Sequence, residues 1–482
     1  MADLKTPGVY LDRINTGSAS IEGASTSVCA FMGLAPRGDI DSGFVQISSW
    51  TDFVQKATNG SKASVFRDDD FMAYDIYNFY QNGGGKAYFG VAKKSPVKAK
   101  VAIGTDKNTV TFEATSGGTW ANDLVIDITK NALDDTLFDL AIVRKDADGK
   151  VTDSYELYEK LSTDKTASRY YVNILKASEL VTVTPAGTGT LAVNSYKLVG
   201  GTDGATITDD EFTGESGLIH KLDTITDCSL IVSSGQSVNV KKGILAYCTT
   251  REDMYAILDA ENSLQVNEII SERKDLNGLG EIHYPYVSMS DPTTGNTIEV
   301  PAGGMIAGMY CRMDASYGVW RVGAGEEAVL RGALGTRKIL TDAEFEKLFN
   351  AGVNCIMSKP NKGVLMYGAR SLNQKYVSDD RLDIYIVKSI KEGTGWAVFE
   401  LNDEKLWLRL TSTITSFLEG LYQRGAFKGD GNGSAFYVTC DATINTDANI
   451  EKGIVTTEFG YATKKPAEFV VHRLNKITAS SN

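Results

Sequence analysis

Both ends of this chain of 482 residues read as β-strands with no local partner. Pro7-Gly8-Val9-Tyr10-Leu11-Asp12-Arg13-Ile14 places Val9 and Leu11 on one face, and Gly17-Ser18-Ala19-Ser20 then breaks the run. At the other end, Lys464-Lys465-Pro466 precedes the β-like and basic stretch Ala467–Ile477. A strand's N–H and C=O groups have to pair with something. Such an arm either folds back onto its own sheet or adds to the sheet of a neighbouring subunit. Identical subunits that exchange strands head to tail build a helical filament when the rotation does not close. Composition fits chain ends of this kind. The chain has 47 Gly and 9 Pro, where average usage would give about 34 and about 24.

Between the arms, the hydrophobic pattern switches repeatedly between strand and helix periods. Ser27–Gly33 and Ala87–Val91 read as strands, and Ser48 or Ser49 can cap a helix carrying Trp50, Phe53, Val54 and Ala57. Met72, Ile76, Phe79 and Tyr80 have helical spacing, stopped by Gly83-Gly84-Gly85. From Lys98 to about Val199, short strand candidates (Val101–Ile103, Thr109–Glu113, Leu124–Thr129, Leu137–Val143) alternate with turn residues, the pattern of an antiparallel β module inserted into a larger fold. Further on, Cys228–Ser233 and Lys242–Thr249 read as buried strands and Asp253–Glu261 as a helix. Thr341-Asp342-Ala343-Glu344 is a capping-box pattern that opens a helix closed at Gly352, followed by a strand at Val353–Met357. Asn402 or Asp403 can cap a long helix with Leu406, Leu410, Ile414, Phe417, Leu418 and Leu421 on one face, ended by Gly425, and Ala435–Cys440 is a strand. The fold class is therefore a mixed α/β (α+β) multidomain chain, of about three domains by length.

Catalytic and metal-binding patterns are weak. Lys+Arg 49 against Asp+Glu 61 gives −12, and phosphate binding wants clustered cations, so nucleic acid is not an expected partner. The triple glycine before Lys86 fails as a phosphate loop, because Tyr80 and Ala87 stand where Walker A needs Gly and Ser or Thr. Asp146-Ala147-Asp148-Gly149 has Arg144 and Tyr155 at the first and twelfth positions of a calcium loop, so the bidentate Glu is missing. His220, His283 and His472 are far apart, and the six cysteines form no CxxC, which predicts reduced core thiols made in a cytoplasm. The start MADLKTPGVYLDRINTGS has no secretory-signal pattern, and apolar runs such as Gly303–Cys311 fall short of a membrane span. The expectation is a non-enzyme with no cofactor, no metal, no catalytic residues and no membrane insertion.

The order of short motifs resembles the tail sheath family of contractile phages and related contractile injection systems. The resemblance starts at Pro7-Gly8-Val9-Tyr10, Ile21-Glu22-Gly23-Ala24-Ser25-Thr26-Ser27, Phe31-Met32-Gly33 and Pro36-Arg37-Gly38. It resumes at Gly200-Gly201-Thr202-Asp203-Gly204 and continues through Tyr284-Pro285-Tyr286, Val300-Pro301-Ala302-Gly303, Gly318-Val319-Trp320 and Tyr367-Gly368-Ala369-Arg370. Its most specific part holds Trp396-Ala397-Val398-Phe399-Glu400, Leu406-Trp407, Gly425-Ala426-Phe427, Cys440-Asp441, Asn445-Thr446 and Pro466-Ala467-Glu468-Phe469-Val470-Val471. Residues 97–199 lie outside it.

What the resemblance implies is a structural subunit that polymerises as stacked hexameric rings around an inner tube and contracts to drive that tube through a cell envelope. The partners it implies are other copies of the chain, the inner tube protein, and baseplate and tail terminator or cap proteins. It implies assembly in a bacterial cytoplasm, as part of a phage virion tail or an injection particle. The inter-subunit arms would be Pro7, Gly8, Val9, Tyr10, Leu11 and Ile14 at one end and Glu468, Phe469, Val470, Val471, Arg473 and Leu474 at the other. Gly17, Ser18, Lys464, Lys465 and Pro466 would be hinges. The implied division is an N-terminal arm (1–20), a core part (21–96), an outward-facing β insertion (97–199), a middle α/β domain (200–370), a C-terminal core domain (371–463) and a C-terminal arm (464–482). The other readings are the large sheath subunit of a type VI secretion system and, from another class, an α/β hydrolase or nucleotide-binding enzyme.

Overall fold

Every residue of strand Cys29–Gly33 is buried, so it needs apolar partners on both faces. Its pleat supplies them: Cys29 and Phe31 enter one core and Ala30 and Met32 the other. The computed structural model describes residues 20–38, 43–104, 108–185, 191–431 and 433–468. These fall into two compact units, one formed by Ser25–Ile384 and the other by the chain on either side of it.

The larger unit is built on an eight-stranded sheet in the order Gly363–Tyr367, Asn354–Lys359, Gly280–Tyr284, Tyr255–Asp259, Leu230–Val232, Cys29–Gly33, Ala87–Val91, Phe44–Ile47. The six inner strands run parallel, and each edge strand pairs antiparallel to its neighbour. Helices cover both faces, which is what a parallel sheet requires. Helices Trp50–Thr58, Met72–Gln81 and Gly303–Tyr317 pack on the face of Phe31, and Val238–Arg251, Val266–Asp275 and Asp342–Ala351 on the face of Met32. Helix Gly303–Tyr317 comes close to Met72–Gln81 through glycine. A Cβ on Gly304 would lie 2.2 Å from the Asp75 carbonyl oxygen, and one on Gly308 2.4 Å from that of Phe79.

Most expected elements are present. Ser49 caps Trp50–Thr58, the Thr341–Glu344 capping box opens Asp342–Ala351, and Gly352 closes it in the left-handed region at φ 78°. Two assignments are corrected. Lys242–Thr249 belongs to helix Val238–Arg251, capped by Ser237, and Asp253–Glu261 contains the strand Tyr255–Asp259. Val240, Ile244, Leu245 and Cys248 are the buried face of that helix. Tyr255–Asp259 is buried throughout, so it lacks the alternation that marks a strand.

Residues 100–197 form two antiparallel sheets with a core of their own. One is Lys100–Ile103, Val110–Ala114 and Val181–Pro185; the other is Asn194–Lys197, Val125–Lys130, Phe138–Lys145 and Val151–Leu161. Phe112, Leu124, Ile126, Leu140, Ile142 and Leu198 are fully buried between them. The chain enters and leaves this module side by side: Val97 pairs with Thr202, and Lys100 with Val199.

In the smaller unit, Asp403 caps helix Glu404–Gln423 by accepting from the Lys405 and Leu406 N–H groups. Leu406, Leu410, Ile414, Leu418 and Leu421 are its buried stripe. Trp407 and Cys440 share a small core with it, and Asn445 ties the following loop through Asp441 and Thr456. Among the described residues no helix is long and apolar enough to cross a membrane.

Candidate functional site

Open α/β sheets bind ligands outside the carboxyl ends of their strands. There the larger unit has a cleft of about 630 Å³, lined by Arg67, Asp70, Lys93, Trp120, Asp203 and Gln236 among others. These polar groups are engaged with the protein itself. Arg67 grips Asp69 at 2.8 and 2.9 Å, the Thr119 amide and hydroxyl donate to Asp203 at 3.0 and 2.8 Å, and Lys93 Nζ donates to the Gly117 carbonyl at 3.0 Å. Gln236 donates to Asp70 at 3.3 Å. Burial pushes the Asp70 carboxyl up to about 6, against the opposing pull of the Leu34 and Met72 N–H groups. The cleft therefore joins the β module to the α/β core.

Deeper in the sheet, Glu281 and His283 are fully buried, with His283 Nε2 3.1 Å from Glu281 Oε2. Glu281 accepts from the Tyr310 hydroxyl at 2.6 Å and from the Asn354 side-chain amide at 2.9 Å, while His283 Nδ1 lies 3.1 Å from the Leu258 carbonyl oxygen. Asp259 accepts from the Ala302 and Gly303 amides at the start of helix Gly303–Tyr317. This network is sealed from solvent, so it ties strands to a helix rather than presenting a reactive group. Lys241 and Glu272 form a second buried pair, 2.6 Å apart.

The other motifs weighed in the sequence are structural too. Gly84 packs against the Phe79 ring at the end of helix Met72–Gln81. Asp146 Oδ1 accepts from the Asp148 and Lys150 amides in the turn between two strands of the β module. All six cysteines are buried thiols outside any disulfide. Among the described residues no group of three or more His, Cys, Asp or Glu side chains could hold a metal ion.

Of the arm and hinge residues, Pro7, Gly8, Val9, Tyr10, Leu11, Ile14, Gly17, Ser18, Phe469, Val470, Val471, Arg473 and Leu474 lie outside the described residues. Lys464, Lys465 and Glu468 are exposed and Pro466 is half-buried. Lys464 Nζ donates to the Gly425 carbonyl at 2.8 Å, at the end of helix Glu404–Gln423. Just before this tail, Phe436–Thr439 and Glu458–Tyr461 form an antiparallel sheet of two strands. Among the described residues neither strand has a third beside it. Helix Glu404–Gln423 packs on this sheet through Tyr422 and Phe436, and Phe427 pairs with Thr463 just past its second strand; an unpaired strand edge is a template for another strand. The same unit exposes Val398, Phe399 and Leu401, with Phe399 in the left-handed region at φ 70°.

The N-terminal segment enters the larger unit through an anchorage that sequence reasoning missed. Arg381 Nη1 and Nη2 donate to Asp314 at 3.2 and 2.6 Å, and Nη2 also donates to the Thr26 carbonyl at 3.3 Å. Cys311 Sγ donates to the Ser27 carbonyl at 3.3 Å, and the Ser229 hydroxyl bridges the Val28 N–H and C=O at 3.3 and 3.2 Å. The partners are 67 to 355 residues apart in the chain. No local pattern connects them, and only the sheet topology brings them together.

No family model matches the chain. It is 23% identical over 263 residues to the tail sheath protein of Vibrio phage KVP40, a match that covers 53% of this chain and 37% of that relative's length. Among solved structures, it aligns with the contracted sheath complex of the extracellular contractile injection system PVC at a TM-score of 0.60 and 19% identity, over 99% of both chains. It aligns with the contracted helical sheath of the anti-feeding prophage at 0.61 and 16%, over 98% and 99%. With the sheath tail protein of Listeria innocua the values are 0.63 and 16%, over 89% and 92%. The resemblance read from the motifs is borne out: the chain is similar in sequence to a phage tail sheath protein and has the fold of contractile sheath proteins.

Proposed function

We propose that this chain is the structural subunit of a contractile sheath that assembles around an inner tube, in a phage tail or an injection particle. The observation that carries the reading is the end-to-end fold match, over 99% of the chain, to a sheath in its contracted state. The sheet of Phe436–Thr439 and Glu458–Tyr461, which has no third strand among the described residues, supports it. Its edges are suited to strands from neighbouring copies, and Pro7–Ile14 and Glu468–Leu474 are the segments of this chain with strand pattern to supply them. The neighbour's two arms would complete a four-stranded sheet, with Gly17, Ser18, Lys464, Lys465 and Pro466 absorbing the turn as subunits pivot.

In this reading the copies form hexameric rings stacked into a helix, assembled in the bacterial cytoplasm, with tube, baseplate and terminator proteins as the other partners. Residues 97–199 face outward and take no part in the mesh. The stroke consumes no nucleotide and needs no catalytic residue. Its free energy is the difference between two packings of the same rigid subunits.

The test is assembly. Purified protein is expected to form hollow tubes of uniform width under negative-stain electron microscopy. A product that stays monomeric across salt and protein concentration overturns the reading.

A further inference from the structure

We propose that Arg381 is the anchor of the N-terminal arm. It is a positioning residue that takes tension arriving along the arm and passes it into two helices, instead of into an interior strand of the eight-stranded sheet. The inference rests on the sheath reading for the source of the tension, and on geometry for the anchor itself.

The segment in question leads without a break into strand Cys29–Gly33, which lies between Leu230–Val232 and Ala87–Val91. A pull on the arm would therefore load the interior of the sheet, unless the chain is held before it reaches the strand. Thr26, Ser27 and Val28 are each held, by Arg381, Cys311 and Ser229 respectively. Arg381 is the strongest of the three by chemistry. Its guanidinium uses one edge as a two-point fork on Asp314 and has a donor left for the Thr26 carbonyl. The Arg381 and Asp314 side chains are only 5% and 6% exposed, so water does not screen the pair. The guanidinium also lies over the Tyr310 ring, 4.6 Å from its centre. Asp314 and Tyr310 belong to helix Gly303–Tyr317, and Arg381 to helix Val377–Gly393. The anchor thus joins a single loop residue to two long helices at once.

An ion pair kept only for stability would be replaceable by apolar residues of like volume. An anchor would not be, because the Thr26 carbonyl would lose its donor. Lysine at the same place keeps a cation opposite Asp314 but lacks the fork that reaches both partners.

Two full-length variants separate these cases: Arg381→Lys, and the double change Arg381→Met with Asp314→Leu. Hydrogen exchange in the unassembled subunit is the first readout. The amides of Ser27, Val28 and Cys29 are expected to exchange about tenfold faster in both variants, the effect of losing one hydrogen bond of ordinary strength. Those of Tyr255–Asp259 stay as in the parent. Tube formation is the second readout, with shorter and more easily broken tubes expected although the arm itself is unchanged. If the double variant does not fold, Arg381→Lys decides alone. Unchanged exchange at residues 27–29, or tubes of parental length and integrity, overturns the anchor. If the parent protein forms no tubes, the sheath reading fails, and the exchange result still decides whether Arg381 holds the segment.

Discussion

Val97 and Thr202 exchange both of their backbone hydrogen bonds, N–H to O at 3.0 Å in each direction. The chain therefore leaves the α/β core for the β module and returns to it at one place. Joining residue 97 to residue 202 through a short Gly-Ser linker is expected to leave a folded subunit that still assembles into tubes. Loss of tubes, seen by negative-stain microscopy of the shortened protein, would refute an outward, dispensable module. The deletion also removes the Arg144 contact with the Gly60 carbonyl and the stacking of Arg37 on Trp120. A few degrees of lost thermal stability are expected.

The arms give the sharpest prediction about assembly. Removing residues 1–15 takes away Pro7–Ile14 and none of the anchorage at Thr26–Val28. The truncated subunit is expected to unfold at the parental temperature and to form no long tubes. Normal tubes would show that the edges of Phe436–Thr439 and Glu458–Tyr461 are not filled by this arm.

Asp70 predicts a pH dependence. Its carboxyl titrates near 6 in the folded protein because burial disfavours its charge, against about 3.9 in an unfolded chain. Between those values the folded state binds more protons than the unfolded one. Stability from this residue is therefore fully present below pH 4 and falls as the pH rises to about 6, by roughly 3 kcal/mol. Asp70→Asn keeps an acceptor for the Met72 amide and removes the titration. Urea midpoints at pH 4.5 and 7.5 are expected to differ less in the variant than in the parent. An equal difference in both would mean that Asp70 is charged throughout.

Gly304 and Gly308 set how closely helix Gly303–Tyr317 lies on helix Met72–Gln81. A methyl group on Gly308 would stand 2.4 Å from the Phe79 carbonyl oxygen, so the helices must separate. Gly308→Ala is expected to lower stability by about 1–3 kcal/mol, the usual cost of overpacking, measured by urea unfolding. Gly420, on a helix surface with nothing near the added carbon, is the control. Gly420→Ala is expected to be neutral or stabilising by about 1 kcal/mol.

Local signals in the sequence were enough for elements with caps and stops. Ser49, Thr341, Asp403 and Gly352 stand where the helices begin or end, because a cap is decided by neighbours in the chain. Tyr255–Asp259 and Val238–Arg251 were exchanged for a physical reason: a central parallel strand is apolar on both faces, and a short apolar run has no period of its own. The expected arms and the N-terminal hinge lie almost wholly outside the described residues, so they stand as expectations from pattern alone. Arg381, Asp314 and Thr26 were not legible, because three polar residues in unrelated segments look like surface until the sheet brings them together.

Among the described residues the small sheet has no third strand, and this has a consequence for size. A ring of strands that closes on itself counts its members. If each strand of Phe436–Thr439 and Glu458–Tyr461 takes one from a neighbour, that neighbour presents the same two edges again. Nothing in such a subunit records how many have been added. In the proposed sheath, the length of the assembly would then be read from another molecule, and the natural ruler would be the tube that the copies are proposed to enclose.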